Sequence, residues 1–154
     1  MTEFEPILLK KLIFNSEFFG KTLNIIEGDH FTDYGNQELF KLIKSHYNKY
    51  QSIPELTELV ASVKNVQNAE TRAEIIKALK TVNVTDEVQN MDFMCDETLT
   101  WVKDAIYMKA LQIGSEGLMK KNDDMKAQAQ KLMDDRARIS IDSDLGLDFD
   151  DIET

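Results

Sequence analysis

Apolar residues recur at spacings of three and four along almost the whole chain, and strict alternation is sustained nowhere, so the pattern predicts an all-α protein. Phe4, Ile7, Leu8 and Leu12 form the stripe of a first helix over about Phe4 to Phe14, with Pro6 tolerated in its first turn. Asn15-Ser16 stops that helix and caps a second, over about Ser16 to Ile26, which carries Phe18, Phe19, Leu23 and Ile26 and ends at Gly28. Residues 27–33 read as a loop. The best-marked helix spans Tyr34 to Tyr50, with Leu39, Phe40, Ile43, Tyr47 and Tyr50 on one face and Lys41, Lys44 and Lys49 on the other. Ser52-Ile53-Pro54-Glu55 reads as a further helix start, followed by Leu56, Leu59, Val60 and Val63. Asn65 to Asn68 interrupts the pattern, a fifth short helix runs from about Glu70 to Leu79, and a polar connection covers Asn83 to Asp92.

From about Asp96 the character changes. Leu99, Val102, Ile106, Ala110 and Ile113 recur at spacings of 3, 4, 4 and 3, and after a turn at Asn122-Asp123-Asp124 the set Met125, Ala129, Leu132, Arg136 and Ile139 recurs at 4, 3, 4 and 3. Two long helices with such seams predict an antiparallel hairpin. A lone hairpin buries too little apolar surface to be stable, so this one is expected to pack on another copy. The expected layout is a small N-terminal helical bundle over residues 1–92, the hairpin over 93–139 and an acidic linker or tail over 140–154. The seam residues, with Trp101 at its opening, are the expected oligomer interface, and Arg136 is expected to form a charge pair across it.

A length of 154 residues, 42% apolar, with 6 Gly and 2 Pro suits one ordered domain, or a small domain with an appended helical piece. The net charge of −10 is unevenly spread: six of the 28 acids lie in residues 141–154, which hold no base, and the remaining 22 face 18 bases. Such a balance predicts only weak DNA binding by this chain. Cys95 has no partner for an intramolecular disulfide, and His30 and His46 show no metal-ligand spacing. No run approaches 18 apolar residues and the first residues are acidic, so no membrane association and a cytoplasmic location are expected.

Candidate chemistry is sparse. Gly114 and Gly117 lie inside a helical pattern with no Gly-Lys-Ser/Thr after them, which excludes a Walker-type phosphate loop there and predicts no cofactor in this chain. Asp29, His30 and Asp33 are the nearest thing to a catalytic cluster, the basis for a small hydrolase, but they lack a nucleophile; loop capping accounts for them. His46 is expected to be a half-buried, hydrogen-bonded helix residue. The methionines of the C-terminal half, among them Met91, Met94, Met108, Met119, Met125 and Met133, suit adaptable helix packing. The tail from Ser140 to Thr154 has only Ile141, Leu145, Leu147, Phe149 and Ile152 as apolar groups, set among six acids that repel one another, so it is expected to be mobile in the isolated chain and dispensable for its fold.

The run Leu12-Ile13-Phe14, then Phe18-Phe19, Phe31, and Phe40-Lys41-Leu42-Ile43-Lys44-Ser45-His46 followed by Asn48, Tyr50 and Ser52-Ile53-Pro54, resembles the N-terminal domain of the DnaB-type replicative helicases of T-even-like phages. The match is close over about residues 7 to 56, and beyond them the layout agrees. The resemblance implies a hexameric, ring-shaped DNA helicase whose N-terminal domains pair through their hairpins into a collar that meets the primase and the helicase loader, inside the infected bacterial cell. It also implies a linker leading into a RecA-like ATPase with ATP and Mg, for which this chain carries no motor residues. The chain is accordingly expected to be a non-enzymatic fragment or a truncated relative. A rival from another class is a free-standing phage adaptor or acidic DNA-mimic inhibitor that engages a host protein.

Overall fold

A computed structural model describes residues 3–141. Among them are seven α-helices and no strand: α1 (Phe4–Phe14), α2 (Ser16–Thr22), α3 (Tyr34–Tyr50), α4 (Leu56–Lys64), α5 (Ala69–Val84), α6 (Met91–Lys120) and α7 (Asp123–Arg138), with a 3-10 turn at Gly28–His30. The fold is all-α. Two compact units divide between Met94 and Cys95.

Asx side chains start most of the helices. Asn15 accepts from the Phe18 amide at 2.9 Å, Asp33 from Asn36 at 3.1 Å and Asn68 from Thr71 at 3.0 Å, each satisfying a donor that the first turn leaves unbonded. At α4, Glu58 reaches back to accept from the Glu55 amide at 2.7 Å. The boundaries differ from the sequence expectation in three places. Helix α2 stops at Thr22, because Leu23 to Ile25 tighten into a turn closed by the Ile25 amide on the Thr22 carbonyl, although Ile26 is still fully buried. Helix α5 runs five residues beyond Leu79. Val82 is buried, and the Thr81 and Thr85 hydroxyls bond to carbonyls four residues back, so β-branched residues that read as a connection complete a helix instead. Helix α6 begins at Met91, with the Phe93 amide donating to the Asn90 side chain at 2.9 Å.

The first unit is built around α1, which contacts α2, α3 and α5. A single apolar stripe would suit a helix with one covered face, but this one is enclosed on most sides: Leu8, Leu9 and Leu12 are fully buried, and so are Glu5 and Lys11. Phe18, Phe31, Phe40 and Ile43 complete that core, with the Phe31 and Phe40 rings 5.3 Å apart. Each buried charge is satisfied. The Glu5 carboxylate accepts from the Thr32 amide (2.8 Å), the Thr32 hydroxyl (2.9 Å), the Asp33 amide (3.3 Å) and the Asn36 side-chain amide (3.0 Å). Lys11 donates to the Glu87 carboxylate at 3.1 Å and the Val88 carbonyl at 2.7 Å. Gly35 lets α3 start directly against α5, since a Cβ there would run into the Glu74 carbonyl oxygen.

Glu5→Gln is the test of this packing. The amide NH2 would face donors from Asp33 and Asn36, so unfolding free energy should fall by about 2–3 kcal/mol, read from the urea midpoint at unchanged slope.

Candidate interaction surface on the helical hairpin

The second unit turns on a short reversal between α6 and α7. Lys121 adopts a left-handed conformation (φ 53°), the Asn122 amide bonds to the Gly117 carbonyl at 2.9 Å and the Lys121 amide to the Leu118 carbonyl at 3.4 Å. This is a Schellman ending with lysine at the position glycine usually takes. Asn122 then caps α7 by accepting from Met125 at 3.1 Å. Asp123 and Asp124, expected as part of the turn, are the first residues of α7, where their charge suits the helix N-terminus.

Near the reversal the two helices approach closely, and glycine is what permits it. A Cβ on Gly117 would sit 3.0 Å from Met125 Cβ and 3.1 Å from the Lys126 backbone nitrogen, tighter than neighbouring residues normally allow. At Gly114 it would meet Ala129 Cβ at an ordinary 3.4 Å. Toward the open end Arg136 ties the helices together, donating to the Lys103 carbonyl at 2.9 Å with its guanidinium 5.3 Å from the Tyr107 ring centroid. Within the chain its bridging partners are therefore a main-chain oxygen and an aromatic face.

The expected interface residues separate into two groups. Trp101, Val102, Ile106 and Ala110 are buried within the single chain. Leu99, Ile113, Met125, Ala129, Leu132, Arg136 and Ile139 are half-buried, and no residue of α7 is fully covered. What stands open is a neighbouring stripe, distinct from the expected seam. Tyr107, Leu111 and Leu118 are 42%, 48% and 68% exposed, and with Gly114 they repeat at 4, 3 and 4 along α6. Together with Ala129 and Met133 of α7 they line a shallow cavity of about 480 Å³. The same periodicity was present in the sequence one residue out of register with the chosen seam; burial alone distinguishes the two.

The small chemical cluster serves the fold. His30 Nδ1 accepts from the Glu27 amide at 3.0 Å and Asp33 caps α3, as loop capping requires. His46, whose side chain is 11% exposed, lies 3.8 Å from Glu58 and packs its ring, tilted, 4.6 Å from that of Tyr50. Among the described residues no group of His, Cys, Asp and Glu is placed to hold a metal ion, and no helix is long and apolar enough to cross a membrane.

With this geometry in hand, the chain aligns over 158 positions, at 28% identity, with the DnaB-like replicative helicase of Enterobacteria phage T4. It is similar to a phage replicative helicase. The alignment takes in 96% of the chain and so extends well past residues 7–56, into the hairpin and beyond it. The chain spans about a third of that relative's length (33%), the share a domain would occupy. No family model matches the chain.

Two substitutions test the local geometry. Lys121→Gly removes the steric cost of a left-handed lysine and should stabilise the hairpin by about 0.5–1 kcal/mol. Thr98, fully buried with an unpaired hydroxyl among the described residues, should gain about 1 kcal/mol as Thr98→Val. In thermal melts each variant should rise by a few degrees, and a fall in either would contradict the geometry above.

Proposed function

We propose that the chain is a non-catalytic assembly domain of a phage replicative DNA helicase, in which the α6–α7 hairpin pairs with a second copy. The observation that carries this reading is the open stripe of Tyr107, Leu111 and Leu118 beside a helix with no fully covered residue: an apolar face of this kind on a helical hairpin is the surface of a helix–helix interface. Closed pairing through one patch on both copies makes a two-fold dimer, and dimers of this kind can be arranged further into a ring. The similarity to a replicative helicase three times longer supports the parent activity, with ATP and Mg bound elsewhere in the parent and with the primase and loader as partners of the assembled domains. The chain by itself then neither hydrolyses ATP nor binds DNA tightly, and its work is association in the cytoplasm of the infected cell.

Mass in solution tests this. At tens of micromolar the chain should run as a dimer or a multiple of dimers, and Leu111→Asp with Leu118→Asp should return it to a monomer at unchanged helix content, because both side chains are exposed in the single chain while a charge in the pair's interface is left unsatisfied. A monomeric wild type, or a double variant that keeps its mass, overturns the proposal. Val102 and Ile106 are unsuited to this purpose: both are buried within the chain, so acids there would unfold it.

A further inference from the structure

A second apolar surface lies in the first unit, where α4 and α5 leave a groove of about 370 Å³. Each helix gives it one ladder of residues spaced by four: Leu56, Val60 and Lys64 from α4, and Arg72, Ile76 and Lys80 from α5. Leu56, Val60 and Ile76 are 38%, 43% and 40% exposed, an apolar face that the core of the unit does not use. Every charged side chain lining the groove is basic, on a chain that holds 28 acids against 18 bases. Arg72 is committed, donating to the Val66 carbonyl at 2.6 Å beside the loop that joins the two helices. Lys64 and Lys80 make no ion pair among the described residues. Arg72 and Lys80 lie about 12 Å apart along α5, so positive charge stands toward both ends of the groove.

An apolar floor with a basic rim selects an occupant that is apolar on one face and acidic on its flanks. Both walls of the groove bond their main chain within α4 and α5, and the described residues contain no strand whose edge an extended peptide could join. The occupant must therefore satisfy its own backbone, as a helix does. A nucleic-acid strand would bring negative charge, but its bases stack on aromatic rings, and none lines the groove. The open hairpin stripe of another copy carries Lys126 beside its apolar residues, a charge of the wrong sign for this rim. We propose that the groove between α4 and α5 is a docking site for an acidic amphipathic helix of a different protein, its apolar side chains on Leu56, Val60 and Ile76 and its carboxylates toward Lys64 and Lys80. Charge complementarity chooses the partner, and the apolar floor holds it. The inference goes beyond the pairing of hairpins and does not rest on it.

The probe is a synthetic helical peptide of about four turns, with leucines spaced three and four apart on one face and glutamates on the flanks. Titrated into the full isotope-labelled chain, it should shift amide signals of α4 and α5 and leave those of the hairpin in place. Reversing the rim with Lys64→Glu and Lys80→Glu should weaken binding by about tenfold, since each exposed ion pair contributes at most about fivefold. The mass of that variant in solution should stay that of the wild type, which separates this groove from the hairpin surface. A peptide with lysines in place of the glutamates should prefer the variant to the wild type. Val60→Ser, at a partly exposed position, should weaken the acidic peptide at unchanged helix content. Absence of binding at millimolar peptide, affinity indifferent to the charge reversals, or a single-stranded DNA oligonucleotide that shifts the groove signals at lower concentration than the peptide would each overturn the proposal. So would occupation by the chain itself, read as groove signals that change with chain concentration, or as a rise in peptide affinity when Asp148→Asn, Asp150→Asn and Asp151→Asn are combined in the full chain.

Discussion

The first unit depends on one buried carboxylate. Glu5 is fully enclosed beside the leucines of α1, and four donors from residues 32–36 converge on it. A buried carboxylate is tolerable only if its oxygens are hydrogen-bonded, and two of the donors, the Asp33 amide and the Asn36 side chain, lie at the very start of α3 while the other two are on Thr32 just before it. The carboxylate therefore sets where α3 begins, and with it the face on which Leu39, Phe40 and Ile43 meet the core. Lys11 does the equivalent work two turns along, holding the stretch at Glu87 and Val88 that follows α5. Helix α1 is thus a central post with a charged anchor toward each end. Its apolar side chains stabilise the unit, and its charges choose the register of the chain around it.

The hairpin is organised by size. Glycines and alanines at its closed end, Gly114 and Gly117 against Met125 and Ala129, draw the two backbones together, while at the open end Arg136 spans the gap to Lys103 and Tyr107. Close approach of this sort uses the buried stripe of α6 for contact within the chain and displaces the larger residues, Tyr107, Leu111 and Leu118, to the side. The outcome is an apolar face left exposed beside the packed interior of the hairpin.

Helical periodicity, caps and the hairpin were legible in the sequence because each depends on residues within a few positions of one another. Asn15 and Asp33 start helices by bonding amides three residues ahead, and such local chemistry is written in the order of residues; Asn68 and Asn122, which read as a break and a turn, cap their helices in the same way. The errors fall where a tertiary contact outweighs a local preference. Burial of Val82 carries α5 through residues with a weak helical tendency, and the turn after Thr22 ends α2 before its apolar residues run out.

Two features were decided by tertiary structure alone. Glu5 and Lys11 look in the sequence like ordinary solvated ends of an amphipathic helix, because their partners lie 27 to 77 residues away and no local pattern announces a buried charge. The choice between two apolar stripes of α6, one running through Ile106 and Ala110 and the other through Tyr107 and Leu111, is likewise invisible to periodicity, since both repeat at three and four. The sequence determined that α6 has a heptad-like surface and that it folds back on α7. Which side of that surface is buried inside the chain and which stays exposed depended on how near two backbones can come, as they do at Gly117, and only burial in the folded hairpin tells the two apart.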